Sequence, residues 1–185
     1  TRASGLAHIS HGSRIVAGEY VLFFSNSPRG LYLVNASSRR GTIFNEQKQR
    51  PLQLVGAKTW VPSVGRRGSQ DNGFFRAFGS PISGGGDFGA FIGSSTTGVV
   101  GVYLLDLTGQ LVPPLFHIIR SIVDSTTRIP GSSSTSGDYF VEFPTDPSVS
   151  GSHVVFFARA GNKSNTGLYL WGPSTDYTPR AIVKL

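Results

Sequence analysis

The sequence contains neither cysteine nor methionine among its 185 residues. The absence of cysteine excludes a disulfide framework, a thiolate metal site and a cysteine nucleophile, and it leaves the redox compartment open. Because methionine is missing even at position 1, we expect Thr1 to begin a processed or trimmed chain whose targeting segment has been removed. An extracellular or organelle-lumen location follows as an expectation.

Charge and long apolar runs are also scarce. Charged residues make up only 15% of the chain, and its longest apolar run, at 99–105, is interrupted by Gly101. A membrane-spanning helix needs ~20 consecutive apolar residues, so no transmembrane segment is predicted. Any membrane association is therefore expected to be peripheral.

Glycine and aromatic residues are plentiful, with 24 Gly, 13 Phe and 6 Tyr. Aromatic side chains pack well on a pleated sheet, and glycine favours turns and interrupts helices. At this length the chain can bury a core of its own. The composition therefore predicts a single all-β domain.

The chain repeats itself about three times. A strand bearing Phe23, Phe91 or Phe156 leads, after a short polar link, to a Gly-aliphatic-Tyr sequence that ends at Tyr32, Tyr103 or Tyr169. A recurrence this regular is typical of repeat proteins, in which one supersecondary unit buries its apolar side against the next. Phenylalanine and tyrosine are predicted to fill equivalent core positions in every copy.

Aligned copies give a unit of four antiparallel strands, with boundaries near 1–56, 57–124 and 125–185. The first copy has no clear opening strand, which residues 3–9 could supply. The segment 115–123 carries a helical pattern after two prolines, but its counterparts are too short for helices, so the repeat favours a strand. Three architectures remain open: a fragment of a longer propeller, three blade-like units completed by oligomerisation, or a closed threefold β-trefoil-like barrel.

The repeat resembles a tandem-repeat family known by its Asn-x-x-Gly-x-x-Ala-Phe core. The best matches are Ile82-Ser-Gly-Gly-Gly-Asp-Phe-Gly-Ala-Phe91 and Val149-Ser-Gly-Ser-His-Val-Val-Phe156, and Ser83, Ser150 or Val16 stands where the family has asparagine. The resemblance implies a propeller-like β fold and a non-catalytic role in secreted or surface proteins, and it carries over no active site.

Basic charge is concentrated between residues 39 and 76, where eight bases stand against two acids, within a formal net charge of +7 for the whole chain. The arginine guanidinium binds carboxylate, phosphate or sulfate groups in a bidentate way. This basic segment is predicted to contact an acidic partner. The residues that we assign to it are Arg39, Arg40, Arg50, Arg66 and Arg67.

Signals for catalysis, metals and cofactors are missing, and none of the three is predicted. No Gly-x-Ser-x-Gly elbow is present, and His8 and His11 would face opposite ways on an extended chain. The glycines at 84–86 lack the lysine and helix of a phosphate loop. Asp124 and Asp138 flank the link between the second and third units, where a turn role is expected. Nucleic acid is a disfavoured partner because Phe75 and Phe78 belong to the predicted core.

The sequence therefore predicts a structural or interaction module, one subunit of a larger assembly that contacts other protein chains through strand edges and the basic segment. The alternative is a carbohydrate-binding module. Its stacking platforms would be aromatic residues near strand ends and loops, namely Trp60, Trp171 and Tyr177.

Overall fold

The computed structural model describes residues 9–17, 20–26, 29–35, 51–62, 73–78, 83–108, 118–132, 138–161 and 166–184. These residues form three antiparallel sheets, and they also include a short 3₁₀ turn, Pro173–Thr175. The prediction of an all-β fold is confirmed. Within the same residues, no helix is long and apolar enough to cross a membrane.

Each sheet is built from consecutive stretches of the chain. Sheet 1 contains β1 (Ile9–Ala17), β2 (Tyr20–Asn26), β3 (Arg29–Asn35) and β4 (Leu52–Gly56). Sheet 2 contains β5 (Phe75–Phe78), β6 (Ser83–Gly85), β7 (Phe88–Ser95), β8 (Val100–Asp106) and β9 (Ile119–Asp124). Sheet 3 contains β10 (Phe140–Glu142), β11 (Ser148–Ser150), β12 (His153–Ala160), β13 (Gly167–Trp171) and β14 (Arg180–Lys184).

The opening strand differs between the sheets. In sheets 2 and 3 it is divided into two short strands, β5 with β6 and β10 with β11, and both halves pair with the next long strand. In sheet 1 the single strand β1 serves as this edge, with a register shift between Ile9 and Arg14. The opening strand of the first unit thus runs from Ile9 to Ala17, and residues 3–8 of the predicted segment lie outside the described residues.

The segment with the ambiguous pattern is a strand from Ile119 onward. β9 covers Ile119–Asp124 and pairs with β8, as the repeat predicted. The competing helix would have begun within 109–117, which lies outside the described residues. Pairing with the neighbouring strand outweighs the local helical pattern here.

The three sheets share one register. Phe23, Phe91 and Phe156 lie directly opposite Tyr32, Tyr103 and Tyr169. The ring centroids within each pair are 5.7, 5.5 and 5.7 Å apart. The register shift between the last two strands of each sheet also falls at the same place, at Leu54, Ile122 and Ile182. The predicted equivalence of the phenylalanine and tyrosine positions is confirmed.

Each sheet has two different sides. We call the side with the Phe–Tyr pair the aromatic face and the other side the aliphatic face. One core cluster joins the aliphatic face of sheet 1 to the aromatic face of sheet 2, and a second joins the aliphatic face of sheet 2 to the aromatic face of sheet 3. Sheet 2 therefore lies between sheets 1 and 3 and is covered on both sides.

Candidate functional site

The glycine of every Gly-aliphatic-Tyr sequence touches the backbone of the next strand. A Cβ atom at Gly30 or Gly101 would stand 2.6 or 2.7 Å from the carbonyl oxygen of Val55 or Val123, and one at Gly167 would collide with the Val183 carbonyl. Real Cβ contacts do not come this close, so each position is confined to glycine. This part of the repeat maintains strand pairing and supplies no ligand group.

The connections between neighbouring sheets are alike. The N–H groups of Gly56 and Asp124 donate to the hydroxyls of Thr59 and Thr127, at 2.9 and 3.0 Å. In return, each threonine N–H donates to the carbonyl of the same partner at 2.9 Å. Each threonine begins a repeated Thr-x-aliphatic-Pro sequence, Thr59-Trp-Val-Pro62 or Thr127-Arg-Ile-Pro130, and closes a tight turn that leads from one sheet to the next.

Asp124 has an additional part in its turn. Its Oδ1 accepts hydrogen bonds from the N–H and hydroxyl of Thr126, at 2.9 and 2.6 Å, and from the Thr127 hydroxyl at 3.1 Å. These contacts confirm the turn role expected for this residue. Asp138 lies where the following hairpin closes, and its carbonyl accepts from the Ile129 N–H at 3.0 Å.

The Tyr103 hydroxyl and Asp124 Oδ2 are buried near each other without a hydrogen-bond partner in the described part of the chain. Burial, with a smaller contribution from the Asp124 carboxylate, raises the pKa of Tyr103. The ring is held by Phe91 and, edge-on, by Phe75. A neutral tyrosine in this setting serves the core and is not a general base.

Two exposed hairpins follow these connections, and each carries an aromatic contact. Trp60 pairs with Phe74 across the first, and their ring centroids are 4.0 Å apart. Arg128 pairs with Tyr139 across the second, and its guanidinium lies 6.0 Å from the ring centroid. Trp60 remains 39% exposed, so this side chain is accessible to a ligand.

No residue that the structure describes packs over the aliphatic face of sheet 3, which we call the outer face. Its six side chains occupy the positions that are buried or packed into a core cluster in sheets 1 and 2. Ile182, Val183 and Leu168 are 53, 45 and 38% exposed, and the other three are half-buried. The six residues are Val155, Phe157, Leu168, Leu170, Ile182 and Val183.

Charged groups border the outer face. Arg159 and Glu142 form an ion pair of 3.0 Å, with both side chains more than half exposed. An exposed pair of this kind contributes at most ~1 kcal/mol to stability. Arg180 lies opposite Leu170 at the other end of the face. The face is thus an apolar centre with a polar margin, the arrangement found in protein interfaces.

The residues predicted for ligand contacts fall in different places. Arg39, Arg40, Arg50, Arg66 and Arg67 all lie outside the described residues, as do His8 and His117. Trp171 is only 5% exposed and packs edge-on against Tyr177, which is 54% exposed. Of the three predicted stacking residues, Trp60 and Tyr177 therefore present their rings to solvent and Trp171 does not.

Chemistry-bearing side chains do not converge in the part of the chain that the structure describes. Within it, no group of three or more His, Asp or Glu residues could hold a metal ion. His153 Nε2 lies 3.2 Å from the Ser174 hydroxyl, a hydrogen-bonding contact without a carboxylate. Comparison with family models, with curated proteins and with solved structures gave no match.

Sequence reasoning missed the outer face. Its aliphatic residues recur in all three repeats, so the sequence places them in the core in every copy. Only the order in which the sheets pack shows that the set in sheet 3 is exposed. An alignment of the copies could have marked the six positions, but it could not have told which of them are covered.

Proposed function

We propose that this chain is a non-catalytic interaction module, one subunit of a larger assembly, and that it associates with another protein through the outer face of sheet 3. The observation that carries the proposal is a set of six apolar positions, three exposed and three half-buried, that are buried or packed in the other two sheets. Contiguous exposed apolar surface of this kind marks interaction sites in soluble proteins. The polar margin fits the same interpretation.

Native mass tests this proposal. The full chain would be tagged in its own organism, isolated together with any bound partner chains and measured by light scattering beside Leu168→Asp and Val141→Asp variants. Val141 is 50% exposed at the edge of the same sheet, and its counterpart Arg76 stays exposed although the aliphatic face of sheet 2 is covered, so Val141 is a matched control. We expect wild type and Val141→Asp to share one assembly larger than the 19.7 kDa monomer, and Leu168→Asp to remain monomeric. A monomer in all three preparations would refute the proposal.

The basic segment supplies a second contact, with an acidic partner. Its support is the concentration of arginine between residues 39 and 76. A variant with serine in place of four arginines should elute from a polyglutamate column at a lower salt concentration than the wild type and keep the same thermal stability. The four positions are Arg39, Arg40, Arg66 and Arg67. A control of equal net charge would replace four arginines elsewhere with serine: Arg29, Arg120, Arg128 and Arg180. Equal elution of both variants would show that total charge governs binding and would remove the contact.

A carbohydrate-binding function is the second candidate, favoured by the exposed indole of Trp60 above Phe74. Aromatic rings stack on the apolar sides of sugar rings. Trp60→Ala should then abolish retention on a glycan that the wild type binds, whereas Tyr139→Ala at the equivalent hairpin should not. A glycan array without a hit would argue strongly against this candidate.

A further inference from the structure

We infer that the outer face of sheet 3 seats a further four-stranded unit of this same design, which binds through its aromatic face. The inference rests on the proposed interaction function and specifies the chemistry of the partner. It follows from how the sheets pack within the chain, from the apolar residues on the outer face, and from the burial of the aromatic pair in sheet 1.

The two junctions inside the chain join the same kinds of face. Phe91 and Tyr103 of sheet 2 pack in one cluster with Leu22 and Leu31 of sheet 1. Around the second junction, Phe156 and Tyr169 of sheet 3 pack with aliphatic residues of sheet 2. Neither junction joins two aliphatic faces. The fold thus gives two examples of what covers an aliphatic face.

The outer face keeps the side chains that this covering requires. Phe157 lies opposite Leu168, as Ile92 lies opposite Val102 in sheet 2. Val183 completes the row in β14, as Val123 does in β9. A sheet face turned permanently to water normally alternates to polar residues. The outer face has the same types of apolar residue as the covered aliphatic faces of sheets 1 and 2.

The remaining aromatic pair of the chain is already buried. Phe23 and Tyr32 of sheet 1 are 6 and 5% exposed, and neither belongs to the two core clusters. A second copy of the chain could not offer this face to the outer face of the first without uncovering it. The partner must therefore carry its own exposed Phe–Tyr pair.

The connecting turn shows how such a unit could be attached for a test. Gly56 and Asp124 lie opposite Gly30 and Gly101, and Lys184 lies opposite Gly167 in the same register. If residues 125–184 are repeated directly after Lys184, Thr127 of the added copy can accept the Lys184 N–H as it now accepts that of Asp124. The added unit then presents Phe156 and Tyr169 to the outer face.

Hydrogen exchange would compare the full chain with this lengthened chain. We expect the amides of β13 and β14 in the original sheet to exchange at least about tenfold more slowly once the face is covered. Leu168→Asp in the original sheet should abolish the effect, and Val141→Asp should not. A second lengthened chain, with residues 57–124 repeated after Lys184, provides an independent aromatic face. Unchanged exchange in both lengthened chains would overturn the inference.

The unmodified chain gives a separate check. Sedimentation of the chain produced alone, without partner chains, over a range of concentrations reports whether two outer faces pair with each other. A dimer that is lost with Leu168→Asp and kept with Val141→Asp would support the interaction function but overturn the inferred partner, because two aliphatic faces would then suffice. A monomer in this measurement agrees with the inference.

Discussion

Gly101 lies directly against the carbonyl group of Val123 on the neighbouring strand, and a Cβ atom at position 101 would stand 2.7 Å from that oxygen. The obstructing atom belongs to the backbone of a central sheet, so it cannot move aside as a flexible side chain would. The same Cβ would lie 3.1 Å from the Tyr103 hydroxyl. In sheet 2 the glycine and the tyrosine thus depend on each other, since the missing Cβ at Gly101 leaves room for the Tyr103 hydroxyl.

Gly101→Ala should lower the free energy of unfolding by roughly 1–3 kcal/mol, the usual cost of overpacking a well-ordered core. Gly161→Ala is the control, because a Cβ there would meet only Val141 at an ordinary 3.6 Å. Chemical denaturation of both variants measures the effect. Equal midpoints for the two would show that the close approach is relaxed without cost.

Tyr103→Phe should raise stability at neutral pH by ~1 kcal/mol, because it removes a buried hydroxyl that has no hydrogen-bond partner in the described residues. Tyr177→Phe changes an exposed ring and should have no effect. The comparison is made from urea-unfolding midpoints. A loss of stability in Tyr103→Phe would indicate that the hydroxyl has a bonding partner.

The alkaline side of the stability profile should change in the same variant. Burial raises the pKa of Tyr103 in the folded chain, so above about pH 10 the unfolded chain releases a proton that the folded chain retains. Titration of Tyr103 therefore leaves the free energy of unfolding unchanged below pH 10 and lowers it by ~1.4 kcal/mol per pH unit above pH 10. Tyr103→Phe should lack this part of the decline. Parallel profiles for wild type and variant between pH 10 and 11 would contradict the assignment.

Asp124→Ala should cost roughly 1–3 kcal/mol, because it removes the oxygen that accepts three hydrogen bonds in the turn between sheets 2 and 3. Asp124→Asn keeps that acceptor and replaces Oδ2, a buried oxygen without a hydrogen-bond partner among the described residues, so it should cost less. Unfolding midpoints rank the two variants. If asparagine proved as damaging as alanine, the buried carboxylate itself would be needed, for instance to hold a cation.

Val102 and Leu168 occupy the same repeat position in sheets 2 and 3, but Val102 is fully buried and Leu168 is 38% exposed. Val102→Asp should destabilise the chain by ~4 kcal/mol or more, because it places an unpaired charge between two sheets. Leu168→Asp should cost ~1 kcal/mol or less, the usual range for an exposed strand position. Similar losses in the two variants would show that the outer face is covered within the chain.

Much of the fold was predictable because the repeat carries its own register. The Gly-aliphatic-Tyr sequence fixes where the third strand meets its neighbour, and the facing phenylalanine fixes the second strand. The Phe-x-x-Phe pattern at Phe75–Phe78 indicates the strand β5, but the sequence did not predict that β6 completes the same edge of the sheet.

The candidate site was less predictable than the fold. Alternation along β13 separates Tyr169 from Leu168 but does not reveal which side has a neighbouring sheet. The sequence left the burial of Trp171 open for the same reason, since a tryptophan at a strand end can face either the core or the solvent. The assignment of the basic segment still rests on charge alone, because its arginines lie outside the described residues.

The four-residue links at 56–59 and 124–127 also bear on how the chain is made. Every strand pair that the structure describes is formed by near neighbours in the sequence, so one sheet can assemble while later residues are still emerging from the ribosome. Each finished sheet then offers an aliphatic surface on which the next can nucleate. We therefore expect folding to follow the order of translation, so mutations in sheet 1 should slow the folding of sheets 2 and 3.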